Sequence, residues 1–208
     1  MPEKGIHTKL VHTGGPAPQK EVLMVRTINP PVHHASTVLF ENYADLQAAA
    51  LGDYCGVSYG TAGLPVQHAF ENAMAELEGG ALTKAFQSGI NAITTALMAF
   101  TRSGDHILVV DNVYGPTRRF CDRTLSKFGV RTDYLPSAAG SDVLDYIRPN
   151  TSLIFLESPG SNTFEIQDIP AIATIARQRN IVTIIDNTWA TPFFSSLLTW
   201  ALMSSSNP

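Results

Sequence analysis

Along the first forty residues, Gly14, Gly15, Pro16, Pro18, Pro30 and Pro31 stand too densely for regular structure, and only Ser36-Thr-Val-Leu-Phe40 reads as strand-like. An extended arm is expected there. From Tyr43 the pattern changes. Residues 44–51 read as a short helix closed by Gly52, and residues 66–77 as a longer one ended by Gly79-Gly80. Between them lies the loop Tyr59-Gly-Thr-Ala-Gly-Leu-Pro65.

After Gly80 strand and helix alternate. The pattern predicts a short strand over 83–87, a helix over 90–100, and the apolar strand His106-Ile-Leu-Val-Val-Asp111, which ends in a carboxylate. Pro116 opens a helix that runs to Phe128 and is stopped by Gly129. A strand over 130–135, a helix near 142–146, a strand over 152–156, a helix over 169–179 and a strand over 181–185 complete the series. Apolar strands joined by helical crossovers imply an α/β fold, a mostly parallel sheet with helices on both faces. The branched run 181–185 is expected to lie buried between those helices.

At roughly 150 residues per domain, 208 residues make one large domain or one and a half small ones. The charged share of 15% is low for a soluble domain, and with 44% apolar residues it points to broad helix-flanked sheets or extensive subunit contacts. A formal net charge of −4 argues against a nucleic-acid partner. Cys55 and Cys121 fit no disulfide framework or zinc spacing, so reduced thiols, a cytoplasmic location and no metal site are expected. His33-His34 makes a poor metal pair, since adjacent strand residues point to opposite faces. No uninterrupted run of eighteen apolar residues occurs, so no membrane span is expected, and no secretory leader is read.

In parallel sheets ligands bind outside the carboxyl ends of the strands, so the residues after each apolar run are the candidates for chemistry. Gln87-Ser-Gly-Ile-Asn91 is a strand-to-helix turn whose Gly89 admits close approach and whose first helical amides could hold a phosphate, although an ordinary βα turn has the same pattern. In Asp111-Asn-Val-Tyr-Gly-Pro116, Tyr114 could stack on a planar ligand or merely cover the sheet edge. Asp186, after the run 181–185, could pair with a cationic ring nitrogen or could cap an Asx turn. In Phe155-Leu-Glu-Ser-Pro-Gly160, Glu157 reads equally as a solvated turn residue. Jointly, a phosphate turn, a stacking ring and a ring-nitrogen acid on successive strand ends describe a cradle for pyridoxal 5'-phosphate (PLP). A nucleotide-dependent oxidoreductase is disfavoured, because no GxGxxG follows a predicted strand.

Glu76-Leu-Glu-Gly-Gly80, Ser88-Gly89, Asp111-Asn-Val-Tyr-Gly-Pro-Thr117, Glu157-Ser-Pro-Gly-Ser161 and Asp186-Asn-Thr-Trp-Ala-Thr-Pro192 together resemble the Cys/Met-metabolism family of PLP enzymes of fold type I. The likeness runs from about Thr8 to Ser196. It implies that the amides of Gly89 and Ile90 bind the phosphate, that Tyr114 stacks on the ring, and that Asp186 pairs with the pyridine nitrogen. Tyr59 matches the tyrosine that a neighbouring subunit lends to the phosphate site. The family's Tyr-x-Arg is departed from at Thr61, so a charged phosphate clamp is missing. Gly160-Ser161 resembles the β-lyase branch, which acts on cystathionine, rather than the γ-synthase and γ-lyase branches. The resemblance also implies a homotetramer, built as a dimer of dimers.

The family's Schiff-base lysine sits in a Ser-x-Thr-Lys motif downstream of the Asp186 motif, and a substrate-binding arginine lies in a small C-terminal domain. This chain has lysines only at 4, 9, 20, 84 and 127, none in such a motif, so no catalytic residue is assigned. The expected organisation is an arm and short helix over 1–52, a partial PLP-binding domain over 53–196 and an aberrant tail over 197–208. The C-terminal domain is expected to be absent, and a one-base frameshift would account for the tail. Two functions follow as expectations: a PLP-dependent carbon–sulfur lyase whose present chain is inactive alone, or a non-catalytic fragment that binds PLP or docks on intact subunits.

Overall fold

A computed structural model of the chain describes residue 28 and residues 30–191. The predicted aberrant tail, the first part of the arm and the end of the Asp186 motif lie outside the described residues. The chain divides into two compact units between Val66 and Gln67.

In the first unit, helix α1 (Tyr43–Leu51) is capped by the Asn42 side chain, which accepts from the Asp45 amide, and ends on Gly52. The strand-like stretch 36–40 is reduced to one antiparallel bridge between Thr37 and Tyr59. Beside it the Gly60 N–H donates to the Ser36 carbonyl at 2.7 Å, and a Cβ on Gly60 would stand 2.1 Å from the Ala35 oxygen, so only glycine fits. Phe40 and Tyr54 stack edge to face at 5.4 Å.

Helix α2 (Pro65–Glu78) leads into the second unit. Helix α3 (Gly89–Ala99) follows, then β1 (His106–Val110), α4 (Gly115–Arg123), β2 (Arg131–Leu135), β3 (Thr151–Glu157), α5 (Ile169–Gln178) and β4 (Val182–Asp186). The predicted helix to Phe128 is split: α4 stops at Arg123 and a short 3-10 turn, Leu125–Phe128, carries the chain to Gly129. The helix near 142–146 is a 3-10 segment, Ser141–Tyr146.

All four strands are parallel, in the order β2-β1-β3-β4. Alternation along each strand divides the core in two. Ile107, Val109, Leu153 and Phe155 face Leu97 of α3 and Cys121 of α4, with Ile184 packed alongside. Leu108, Ile154 and Leu156 face Ile169, Ile172 and Ala176 of α5, with Ile185 alongside. Helices therefore cover both faces, as the sequence implies. Ile107, Leu108, Val109, Leu153, Ile154, Phe155 and Leu156 are fully enclosed, and each such burial contributes about 1.5–3 kcal/mol.

Two expectations fail. Residues 83–87 form no strand: the Ala85 N–H donates to Glu71 Oε1 at 2.9 Å, so a side chain takes the bond that a ladder would have made. Strand β4 is half-buried at all five positions rather than enclosed, because among the described residues it pairs only with β3 and stands at the sheet edge. Cys121 is enclosed, and burial pushes its thiol up to about 12, whereas Cys55 is exposed.

At the amino ends of the strands His106 is fully buried. Its Nδ1 lies 2.7 Å from Thr151 Oγ1, which itself accepts from the Arg148 N–H at 2.7 Å. Its Nε2 is 3.3 Å from Asp133 Oδ2, without the alignment of a hydrogen bond. Burial first, and the nearby Arg148 second, lower the imidazole pKa, with Asp133 opposing. The folded chain thus keeps His106 neutral where the unfolded chain takes up a proton, and the stability due to this residue is lost as pH falls below about 6.5. In urea titrations at pH 7.5 and 5.5, His106→Gln is expected to show a smaller drop in midpoint than the parent chain. An equal drop in both would place the pH dependence elsewhere.

Candidate active site

The strand order reverses between β1 and β3: the chain leaves β1 for β2 on one side and returns to β3 on the other. Such a reversal opens a crevice at the carboxyl ends of the strands, because the two crossovers lie on opposite faces. Around this edge stand the predicted residues of the second unit.

Ser88 caps α3, its hydroxyl accepting from the Asn91 amide at 3.3 Å. The amides of Gly89 and Ile90 open the helix, where no intrahelical carbonyl can reach them. Nothing lies within 4 Å of the place a Gly89 Cβ would take, so the helix end is open to a ligand. Gly89 and Asp186 line the same cleft, of about 270 Å³, whose walls include Ala92, Ile93, Phe155 and Ile184. Asp186 Oδ1 accepts from the Thr188 amide at 3.0 Å and from the Thr188 hydroxyl. The Asx turn left open by the sequence is therefore present, and the same carboxylate borders the cleft.

Ile90 is half-buried beside Gly89 and is not on the cleft wall. Tyr114 precedes α4 and is 44% exposed, at the end of β1 rather than on that wall. Its backbone N–H donates to Glu157 Oε2 at 2.7 Å. Tyr59 belongs to the first unit, heads a 3-10 turn and is 46% exposed.

Of the readings left open for it, Glu157 does not take that of a solvated turn residue. It is 4% exposed, because β3 is central and its last residue remains inside the sheet. Burial raises its pKa, the Tyr114 amide pulls it back, and the charge of Asp186, its partner in the β3–β4 register, raises it further. A signal was available: Glu157 ends an apolar run as Asp186 does, but the Pro159-Gly160 turn after it made exposure the simpler reading.

Asn112, also unforeseen, ties the loops after β1 and β3 together. Its carbonyl accepts from the Ser161 N–H at 2.9 Å, its Nδ2 donates to Glu165 Oε2 at 3.1 Å, and its Oδ1 accepts from Gln167 Nε2 at 3.4 Å. Gly160 sits against that side chain, where a Cβ would fall 1.8 Å from Asn112 Nδ2. Asp111 is held by Arg118, whose guanidinium also lies 3.7 Å above the Tyr134 ring. Among the described residues no group of three His, Cys, Asp or Glu side chains could hold a metal ion.

The sequence model of the family described as Cys/Met metabolism PLP-dependent enzyme matches residues 7–202. The chain belongs to that family. An Escherichia coli K12 cystathionine beta-lyase is 35% identical over 193 residues, covering 91% of this chain and 48% of that protein. An L-alanine/L-glutamate racemase of Wolbachia pipientis wMel is 43% identical over 177 residues, covering 80% and 43%. A Campylobacter jejuni crystal structure carrying N'-pyridoxyl-lysine-5'-monophosphate is 31% identical with a TM-score of 0.74, covering 81% of this chain and 42% of that one. The chain spans about half the length of the curated relatives it matches. Its sheet is that of fold type I, and the cofactor of its family is PLP. The residues present fit that cofactor, since an open helix terminus and a carboxylate face one cleft.

Gly160→Ala is expected to destabilise the chain by roughly 1–3 kcal/mol through overpacking against Asn112. In chemical denaturation the Gly160→Ala, Asn112→Ala double variant should lose less than the two single losses combined. Simple additivity would show that the contact is not the cause.

Proposed function

We propose that the chain is part of a PLP-dependent carbon–sulfur lyase of the cystathionine β-lyase type, converting cystathionine to homocysteine, pyruvate and ammonia in transsulfuration and methionine biosynthesis. The observation that carries this reading is the shared cleft of Gly89 and Asp186. PLP, when bound, supplies an electron sink for charge that develops at the α carbon of an amino acid. The amides of Gly89 and Ile90 hold the phosphate at the positive end of α3. Asp186 would keep a proton at the pyridine nitrogen through a charge-assisted bond, and Tyr114 would offer its ring for stacking.

Gly160-Ser161 supports the β-lyase branch over the γ-synthase and γ-lyase branches, and the Escherichia coli relative bears the β-lyase name. The Wolbachia relative favours a second reading, an amino-acid racemase. The 208 residues hold no Ser-x-Thr-Lys motif, so this chain alone binds the cofactor without turning substrate over. A cytoplasmic location and a homotetramer belong to the same proposal, supported by two free cysteines and the charged share of 15%. Exposed Tyr59 serves a neighbouring subunit's phosphate site, with Thr61 supplying no guanidinium.

The chain is expected to bind PLP reversibly, to release no pyruvate from cystathionine beyond the free-PLP background, and to lose affinity about tenfold to a hundredfold on Asp186→Ala. Equal affinity in parent and variant, read by equilibrium dialysis, would reduce Asp186 to a cap. In a chain extended through the family's lysine motif, pyruvate from cystathionine is the expected product. Racemisation of alanine without pyruvate would select the second reading.

A further inference from the structure

We propose that Glu157 is the positioning residue for Tyr114, holding it beyond the end of β1 through its backbone amide. The proposal rests on the cofactor reading above and extends it to a residue that meets no ligand itself.

Tyr114 occupies the N-cap position of α4, and its own side chain makes no capping bond. Its φ of −46° and ψ of 127° turn the chain sharply from β1 into the helix. What fixes this turn is a bond from another strand: the Tyr114 N–H meets Glu157 Oε2 at 2.7 Å, 43 residues away in sequence. The Ser161 N–H goes instead to the Asn112 carbonyl at 2.9 Å, a second bond that joins the two loops bordering the crevice. Asn112 and Gly160 close the same seam from the other side. The ring of Tyr114 is 44% exposed, so its placement comes from its backbone rather than from enclosure.

A buried carboxyl group beside Asp186 is penalised by burial and by the Asp186 charge. What the position supplies is an acceptor at reach: the Glu157 side chain extends from the end of β3 to the turn after β1, where it meets the Tyr114 N–H. A chain one methylene shorter falls short of the Tyr114 amide.

The test uses the full chain and three variants, Glu157→Ala, Glu157→Asp and Glu157→Gln. Amide exchange is followed by NMR at Tyr114 and Ser161 with Ile107 to Val110 as internal reference, and binding of pyridoxamine 5'-phosphate by its fluorescence. In the Ala and Asp variants Tyr114 is expected to exchange about tenfold faster or more, with a similar loss of affinity, as for a lost bond to a charged acceptor. The β1 amides stay protected. The Gln variant, which keeps an acceptor at full reach, should restore both readouts to within about threefold. Unchanged Tyr114 exchange in the Ala and Asp variants overturns the proposal, and so does faster exchange with unchanged affinity. If the Ala variant loses β1 protection as well, the Asp and Gln pair decides by the same criteria. A parent chain that does not bind pyridoxamine 5'-phosphate overturns the cofactor reading, and the exchange data then decide by themselves whether Glu157 holds Tyr114.

Discussion

The chain crosses β1 on its way from β2 to β3, and the rest of the second unit follows from that crossing. Right-handed connections place α4 on one face and α5 on the other, as the two core clusters show. Neither helix can then roof the carboxyl ends of β1 and β3. The loops that begin at Asp111 and Ser158 are left to close this gap against each other, and they do so with polar groups: the Asn112 carbonyl with the Ser161 N–H, the Tyr114 N–H with Glu157, and Gln167 Nε2 with Asn112 Oδ1 at 3.4 Å. Buried backbone groups must find partners, so a seam of this kind admits few side chains.

Parallel strands also sort charge. Each carries its last residue to one edge, and here Asp111, Glu157 and Asp186 gather there, while His106, Arg131 and Arg148 stand at the other end around Asp133. Asp111 is neutralised by Arg118. Glu157 accepts from the Tyr114 N–H and faces Asp186 across the ladder, where the two carboxyl groups repel as anions. A cationic group in the cleft beside Asp186, as a protonated ring nitrogen would be, relieves that repulsion.

What the sequence made legible was local. Unbroken runs such as Ile107 to Val110 and Leu153 to Leu156 could only be enclosed strands, and Gly52 and Gly129 end their helical segments where expected. Asp186 was found because a carboxylate after a branched run is conspicuous. What stayed hidden depended on partners distant in the chain. Residues 83–87 have strand-forming side chains, but the Ala85 amide bonds to Glu71. Glu157 looked like a turn residue until the central place of β3 was known. Nothing local marks Gly160 as the one residue that fits against Asn112, 48 positions earlier.

The candidate site depends on register as much as on composition. Among the described residues strand β4 has one ladder, to β3, and its five positions are half-buried. The ladder sets Ile184 against Phe155, Ile185 against Leu156 and Asp186 against Glu157, and the two isoleucines choose opposite core clusters. A slip of one residue would exchange those faces and carry Asp186 away from its place opposite Glu157. The apolar pairing of Ile184 and Ile185, which also line the cleft, is therefore what keeps the carboxylate there with Gly89.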